Sequence, residues 1–235
     1  MEIKKTAKTA SVTRADIEVA AAKVFRREGY RAATMRQIAD EVGLHKTSLY
    51  HHIQTKQELL VSITHHVLLG PIRNLEAIAQ DKTKDPRTRL YEAVFFYMGC
   101  VFDRTDAIAV FDLYVSDIED DELRANVMKM KRRYIRIFVD LVTECLGDDT
   151  SERPDLVAFA ILGACSYVVT WYQPNYKVPQ KELAHAFARN AMRAIDGLPV
   201  HYSEEEGVTT EPHHRRAEAS RPAARSVAGA RRATS

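Results

Sequence analysis

The sequence predicts an all-α fold: a small N-terminal three-helix unit followed by a larger antiparallel helical domain. Two observations carry this. Between Thr13 and Leu198 the apolar residues recur at helical spacing, and no run of alternating β-branched residues suggests a strand. The breaks in that spacing coincide with turn or capping residues: Gly29, Gly43, Gly70-Pro71, Pro154, Pro179 and Gly197.

Thr13 is positioned as an N-cap, and Ile17, Ala20, Ala21, Val24 and Phe25 then form one apolar stripe ending at Gly29. Thr34 with Gln37 has the form of a capping box. Met35, Ile38, Ala39 and Val42 mark a short helix that stops at Gly43. A second short helix is predicted over 45–52. Thr55 with Glu58 repeats the capping pattern and starts a longer helix through Leu59, Leu60, Ile63 and Val67, predicted to end before Gly70-Pro71. Further helices are predicted over 87–102, 108–118, 123–146 and 154–172, and a last one from Pro179 to Gly197. From His201 onward the periodicity vanishes. Four segments result: a flexible basic arm over 1–12, the three-helix unit over 13–54, the larger helical domain over 55–200 and a disordered basic tail over 201–235.

The chain has 235 residues, of which 46% are hydrophobic and 28% charged, enough for one sizeable core. Its net charge is only +2, but the distribution is uneven: +4 over residues 1–67, −6 over 68–206 and +4 over 207–235. A basic N-terminal unit suits a polyanionic partner. The longest uncharged run, 156–176, is interrupted by Gly163, Ser166, Gln173, Pro174 and Asn175. It is short for a hydrocarbon layer of about 30 Å, so a buried helix and no membrane is the expectation. Three widely spaced cysteines, Cys100, Cys145 and Cys165, and no apolar leader segment fit a reducing cytoplasm.

Residues 43–53, GLHKTSLYHHI, pose the central question. Two short helices joined by Val42-Gly43-Leu44 make a helix-turn-helix, the arrangement that lays its second helix in the DNA major groove. Leu49 and Ile53 bury one face; Lys46, Thr47, Tyr50 and His51 lie opposite, able to meet phosphates or base edges. Lys56 also suits phosphate. A metal site is the alternative. The pairs His51-His52 and His65-His66 are adjacent, however, and diverge by about 100° on a helix. His45 stands apart, and no Cys or carboxylate joins them, so no metal is predicted.

Residues 25–60, FRREGYRAATMRQIADEVGLHKTSLYHHIQTKQELL, resemble the DNA-binding module of the TetR family of transcriptional regulators. The shared features are a Gly closing the first helix, a Thr opening the second, the I-A-x-x-V-G turn, the L-Y-x-H pattern and a K-x-E-L start to the fourth. Ile53 stands where a phenylalanine is usual. The resemblance implies phosphate or base contacts from Thr34, Arg36, Gln37, Lys46, Thr47, Tyr50, His51, His52 and Lys56. It also implies a homodimer on a palindromic double-stranded operator, repression as the default, and a C-terminal ligand-binding and dimerisation domain.

For dimerisation, the helix over 155–172 is apolar nearly all round. Its Ala160, Gly163, Ala164, Tyr167 and Trp171, with Phe187 and Ala191 of the last helix, are the expected interface. For the effector, Phe95, Met98, Phe102, Phe111, Tyr114, Tyr134 and Phe138 supply surface for a hydrophobic cavity, or simply for core. Arg132 and Arg133 belong to a basic cluster that also reads as a solvated face. Residues 131–142 and 160–184 are similar to a TetR subgroup that responds to acyl-coenzyme A thioesters, with Tyr176 where that subgroup usually has glycine. An arginine cluster for phosphates and an aromatic cavity for the acyl chain follow from that likeness. Another hydrophobic effector, controlling efflux or stress genes, or a metal- or redox-responsive switch, are the alternatives. An enzyme is not expected, nor a cofactor: the chain has no nucleophile elbow, no Gly-rich phosphate loop and no paired carboxylates.

Overall fold

The structure, a computed structural model, describes residues 12–147, 152–173 and 175–197. The basic arm before Val12, Pro174 of the W-Y-x-P segment and the predicted tail lie outside the described residues. Nine α-helices and no strand occur among those residues.

The head is α1 (Arg14–Glu28), α2 (Met35–Val42) and α3 (Lys46–Tyr50). Thr13 caps α1 in a full capping box with Asp16, and Thr34 caps α2 in one with Gln37. Each satisfies two backbone donors that a helix start leaves without partners. Gly43 ends α2 in the left-handed region at φ 72°, ψ 28°, and Leu44 N–H returns to the Ala39 carbonyl at 2.9 Å. A side chain at that φ costs about 1 kcal/mol or more, which is why glycine makes this turn.

α4 (Lys56–Gln80) is the longest departure from expectation. Thr55 caps it as predicted, but Glu58 reaches Gln54 N–H at 2.9 Å and Arg14 at 2.9 Å instead of closing a box on Thr55. The helix also runs straight through Gly70-Pro71, where the sequence predicts its end. Pro71 has no N–H for the Val67 carbonyl, an interior defect of about 3 kcal/mol. Packing overrides it: Val67, Leu68, Pro71, Ile72 and Leu75 are all buried, and each large apolar side chain removed from water contributes about 2 kcal/mol.

The body comprises α5 (Pro86–Asp103), α6 (Thr105–Tyr114) with a 3-10 turn at Val115–Asp117, α7 (Asp121–Leu146), α8 (Pro154–Trp171) and α9 (Gln180–Asp196). α5 lies on α9 and α7; α7 lies between α4 and α8; α6 packs on α1 and α4. One continuous core links Ile17, Phe25, Ile38 and Leu49 of the head to Leu75, Met98, Phe138 and Val168 of the body. The buried Arg89 guanidinium fastens the α4–α5 turn, donating to Ala79 O at 2.7 Å, Lys84 O at 3.2 Å and Glu144 Oε2 at 2.7 Å. Arg89 and then Lys82 hold the Glu144 carboxyl down at about 2.

α8 corrects a second expectation. It is long and apolar enough to cross a membrane by length and composition. Only 33% of it is buried within the chain, however. It is a helix with one buried side and one apolar outer side.

Candidate functional site

In α3, Leu49 is fully buried, as is Ile53 just beyond it, anchoring the helix on the head core. Lys46, Thr47, His51 and His52 are exposed and Tyr50 is half-buried. The Lys46 ammonium stands 5.8 Å from the Tyr50 ring centroid, so a donor cation and an aromatic hydroxyl occupy the same outer face. Arg36 on α2 is also exposed, with a loose 3.9 Å contact to Asp40.

Three of the sequence-predicted contacts have local duties. Thr34 Oγ1 donates to Gln37 Oε1 at 2.8 Å and accepts from Gln37 N–H at 3.2 Å. Both side chains therefore close the α2 cap and leave the Gln37 amide nitrogen as the outward donor. Lys56 Nζ donates to Tyr30 O at 2.8 Å and Arg31 O at 2.9 Å, with the Tyr30 ring 5.1 Å away. It braces the start of α4 against the α1–α2 connection. Arg14 was given no role by sequence, yet it pairs with Glu18 within α1 at 3.3 Å and joins α1 to the first turn of α4 through Glu58 at 2.9 Å. Among the described residues no group of three or more His, Cys, Asp or Glu stands close enough to hold a metal ion.

Below the head, a cavity of about 250 Å³ opens between α4, α5, α6, α7 and α8. Its wall is formed by Val67, Leu68 and Pro71 of α4, Tyr97 and Cys100 of α5, Ile108, Phe111 and Asp112 of α6, Lys131, Tyr134 and Ile135 of α7, and Phe159, Leu162, Gly163 and Ser166 of α8, with Arg104 at the α5–α6 corner. Tyr97 and Ser166 share a 2.7 Å hydrogen bond, and burial pushes the Tyr97 and Tyr134 phenols up. Burial raises the Asp112 carboxyl, against the nearby Lys131. Lys131 Nζ stands 5.0 Å from the Phe111 ring centroid.

Of the nine effector residues expected from sequence, Phe111 and Tyr134 line this cavity. Met98 and Phe138 are sealed in core instead. Phe102 packs on Tyr172 at 4.9 Å, Phe95 on His185 at 4.5 Å, and Tyr114 beside Tyr30 at 6.2 Å. Arg132 points to solvent, and Arg133 is clamped to Glu76 at 2.6 and 2.8 Å on the outer side of α4. The helical period explains the division: Lys131, Tyr134 and Ile135 share the inward face of α7, and residues 132, 133 and 136 fall on the other side. Lys131 was legible as part of the basic run and could have been separated from it by its spacing to Tyr134. Arg104 carried no signal, since no Gly or Pro marks its corner.

The cysteines are free, and only Cys165 is fully buried. Burial pushes Cys165 up to about 12 and Cys145 up to about 11, keeping both as thiols near neutral pH.

On α8, Leu156, Phe159, Tyr167 and Trp171 are 56%, 49%, 66% and 36% exposed, and Ala160, Gly163 and Ala164 are exposed between them. Phe187 on α9 is half-buried. Ala191 is an exception to the expected interface: it is buried against the chain's own core and has no free surface.

Residues 17–63 match the family described as bacterial regulatory proteins, tetR family, and residues 83–195 match the tetracyclin repressor-like C-terminal domain. Together these matches span more than half of the chain. The HTH-type transcriptional repressor KstR2 of Rhodococcus jostii is 27% identical over 185 residues, 76% of this chain and 87% of that protein. The structure of the ketosteroid transcriptional regulator KstR2 of Mycobacterium tuberculosis is similar with a TM-score of 0.70 at 20% identity, over 79% of this chain and 96% of the other. AibR in complex with isovaleryl coenzyme A and operator DNA is similar with a TM-score of 0.61 at 22% identity, over 74% of this chain and 95% of the other.

Proposed function

Because the chain belongs to the TetR family of bacterial regulatory proteins, we propose that it is a ligand-responsive transcriptional repressor that binds a palindromic operator as a homodimer. The observation that carries this reading is the α3 face: Lys46, Thr47, Tyr50 and His51 turned outward from a helix anchored by Leu49 and Ile53. Arg36, Lys46 and His52 supply charge or donors for phosphates, which fix register. Thr47, Tyr50 and His51 are the candidates for base edges, which select sequence. Thr34, Gln37 and Lys56 act mainly by holding α2 and α4 in place, with the Gln37 amide N–H groups and one Lys56 donor to spare.

A palindrome needs two reading helices about 34–36 Å apart, hence two copies of the chain. The apolar outer stripe of α8 from Leu156 to Trp171, with Phe187, supplies the self-complementary surface. Small residues at Ala160, Gly163 and Ala164 allow two helices to approach closely.

The effector enters the cavity beside α4. A coenzyme A thioester is far larger than about 250 Å³, so the acyl group occupies the cavity and the remainder lies outside it. The relative bound to isovaleryl coenzyme A supports a compact acyl group. α4 links the two functions, because Val67, Leu68 and Pro71 face the cavity and Lys56 braces the head. A ligand that favours a different tilt of α4 changes the spacing of the two heads. Release by a hundredfold requires about 2.7 kcal/mol of preference for the released conformation, whatever the absolute affinity.

The test is fluorescence anisotropy at fixed salt, using DNA from upstream of the protein's own gene, with and without a panel of short acyl-coenzyme A thioesters. Specific binding released by one thioester is expected. Specific binding indifferent to all of them removes the acyl-coenzyme A assignment, and absence of specific binding removes the repressor itself.

A further inference from the structure

Arg104 occupies an unusual place. It is the single residue between α5 and α6, and its Nη1 donates to the His66 carbonyl at 2.9 Å. The guanidinium lies beside Gly70, where an added Cβ would stand in ordinary contact at 3.6 and 3.7 Å from the two terminal nitrogens. This is the stretch of α4 weakened by Pro71. Among the described residues Arg104 forms no ion pair, although it is a full and permanent charge.

Arg104 also lines two spaces at once. One is the apolar cavity. The other is a groove of about 640 Å³ bounded by α1, the start of α4 and the α5–α6 corner, with Glu18, Lys23, Arg26 and His66 on its walls. Most of the groove's charges are committed: Arg26 to Asp106 at 2.8 Å and Val169 O at 2.7 Å, and Glu18 to Ser62 and His66. In the cavity, Lys131 faces Asp112 and the Phe111 ring. Lys23 and Arg104 are the groove cations with no ion pair among the described residues, and of the two Arg104, next to the groove carboxylate Asp103, also borders the cavity, at the doorway between an apolar space and a polar one.

We propose that Arg104 is the receptor for an anionic group of the effector, an amphiphilic acid whose apolar part fills the cavity and whose carboxylate or phosphate meets the guanidinium at the groove. This rests on the cavity being the effector site. A planar guanidinium binds carboxylate and phosphate through paired hydrogen bonds, and a charged acceptor outcompetes a neutral carbonyl. Only one of the five guanidinium donors is held by His66, so the anion engages the others, and re-aiming the plane towards it weakens the bond to His66. α4 then loses a support next to its proline, and His66 is the residue that contacts Glu18 on α1 of the head. Recognition and release pass through one side chain.

The experiment is calorimetric titration of the full chain with three probes of equal apolar length, hexanol, hexanoate and hexanoyl-coenzyme A, alongside operator anisotropy. Wild type is expected to bind at least one of the two anionic probes about tenfold or more tighter than hexanol, as a charged hydrogen bond implies. Hexanoate binding identifies a carboxylate; binding of the thioester alone identifies the phosphates. In Arg104→Gln the preference should shrink to within about twofold, and saturating anionic probe should no longer release operator. Circular dichroism and hydrodynamic size check that the variant folds. Retention of the preference in Arg104→Gln, or its loss in Lys131→Met instead, overturns the proposal. Specific operator binding by a wild type that takes up none of the probes shows the acyl-effector reading itself to be wrong, and the proposal falls with it.

Discussion

Helices α3 and α8 each keep one side on the chain's core and turn the other outward, and the two outward faces differ in chemistry. On α3 the face holds Lys46, Thr47, Tyr50 and His51 around a single buried anchor, Leu49. On α8 it holds Leu156, Phe159, Tyr167 and Trp171, 36% to 66% exposed. Helical periodicity alone describes both equally well. The residues left over after the core is satisfied distinguish them: donors and a cation suited to a charged, hydrated polymer on α3, and apolar surface suited to a contact that excludes water on α8.

The largest expected effect tests the second half of that contrast. Phe159→Lys with Tyr167→Glu should yield a folded monomer by light scattering and weaken operator binding by a hundredfold or more, since one head alone cannot use both half-sites. A double variant that stays dimeric removes α8 from the interface. Next, Leu49→Ala should cost about 2–5 kcal/mol of stability by emptying a buried site. Tyr50→Ala, one residue along and only half-buried, should lower the melting temperature much less. Equal thermal losses would mean the α3 face is packed rather than free.

Tyr50→Ala and Lys46→Ala should each weaken operator binding by about 1–3 kcal/mol, roughly fivefold to 150-fold, without altering the dimer. Lys46→Ala should in addition lower the slope of log affinity against log salt by about 1, as loss of one phosphate contact requires. An unchanged slope would place Lys46 off the phosphates. Arg132→Ala with Arg133→Ala should leave the effector response intact, because neither side chain lines the cavity. A lost response would reinstate the basic run.

The smallest effect concerns the α4–α5 turn. The Glu144 carboxyl, held at about 2 by Arg89 and Lys82, lies below its ordinary 4.5. A depressed carboxyl contributes stability above its ordinary value and loses it as pH falls from about 4.5 towards 2. The Glu144 side chain is 39% exposed, so water screens the pair and Glu144→Gln should cost about 1 kcal/mol at pH 7. The gap between variant and wild type in chemical denaturation should close by about pH 2.

Legibility in the sequence followed the range of the forces involved. The caps at Thr13 and Thr34, the turn at Gly43 and the buried pair Leu49 and Ile53 depend on neighbours within a few residues, and sequence spacing shows them. The end of α4 did not follow its local signal, because burial of Val67, Leu68, Ile72 and Leu75 outweighs one proline. The cavity was harder still. Aromatic residues were the expected lining, yet Met98 and Phe138 became core and Phe95 and Phe102 packed on His185 and Tyr172.

By itself, the sequence determined an all-α chain, the order of its helices, the helix-turn-helix and the identity of its outward face, because helix caps and period-3.6 patterns are written in adjacent residues. Only the tertiary structure decided that Lys56 braces a loop, that Ala191 faces inward, that Lys131 and Arg104 border the cavity while Arg132 and Arg133 do not, and that α4 is unbroken. Those outcomes depend on which helices lie side by side, and contacts between residues distant in the chain are set by packing of the whole core rather than by any local run.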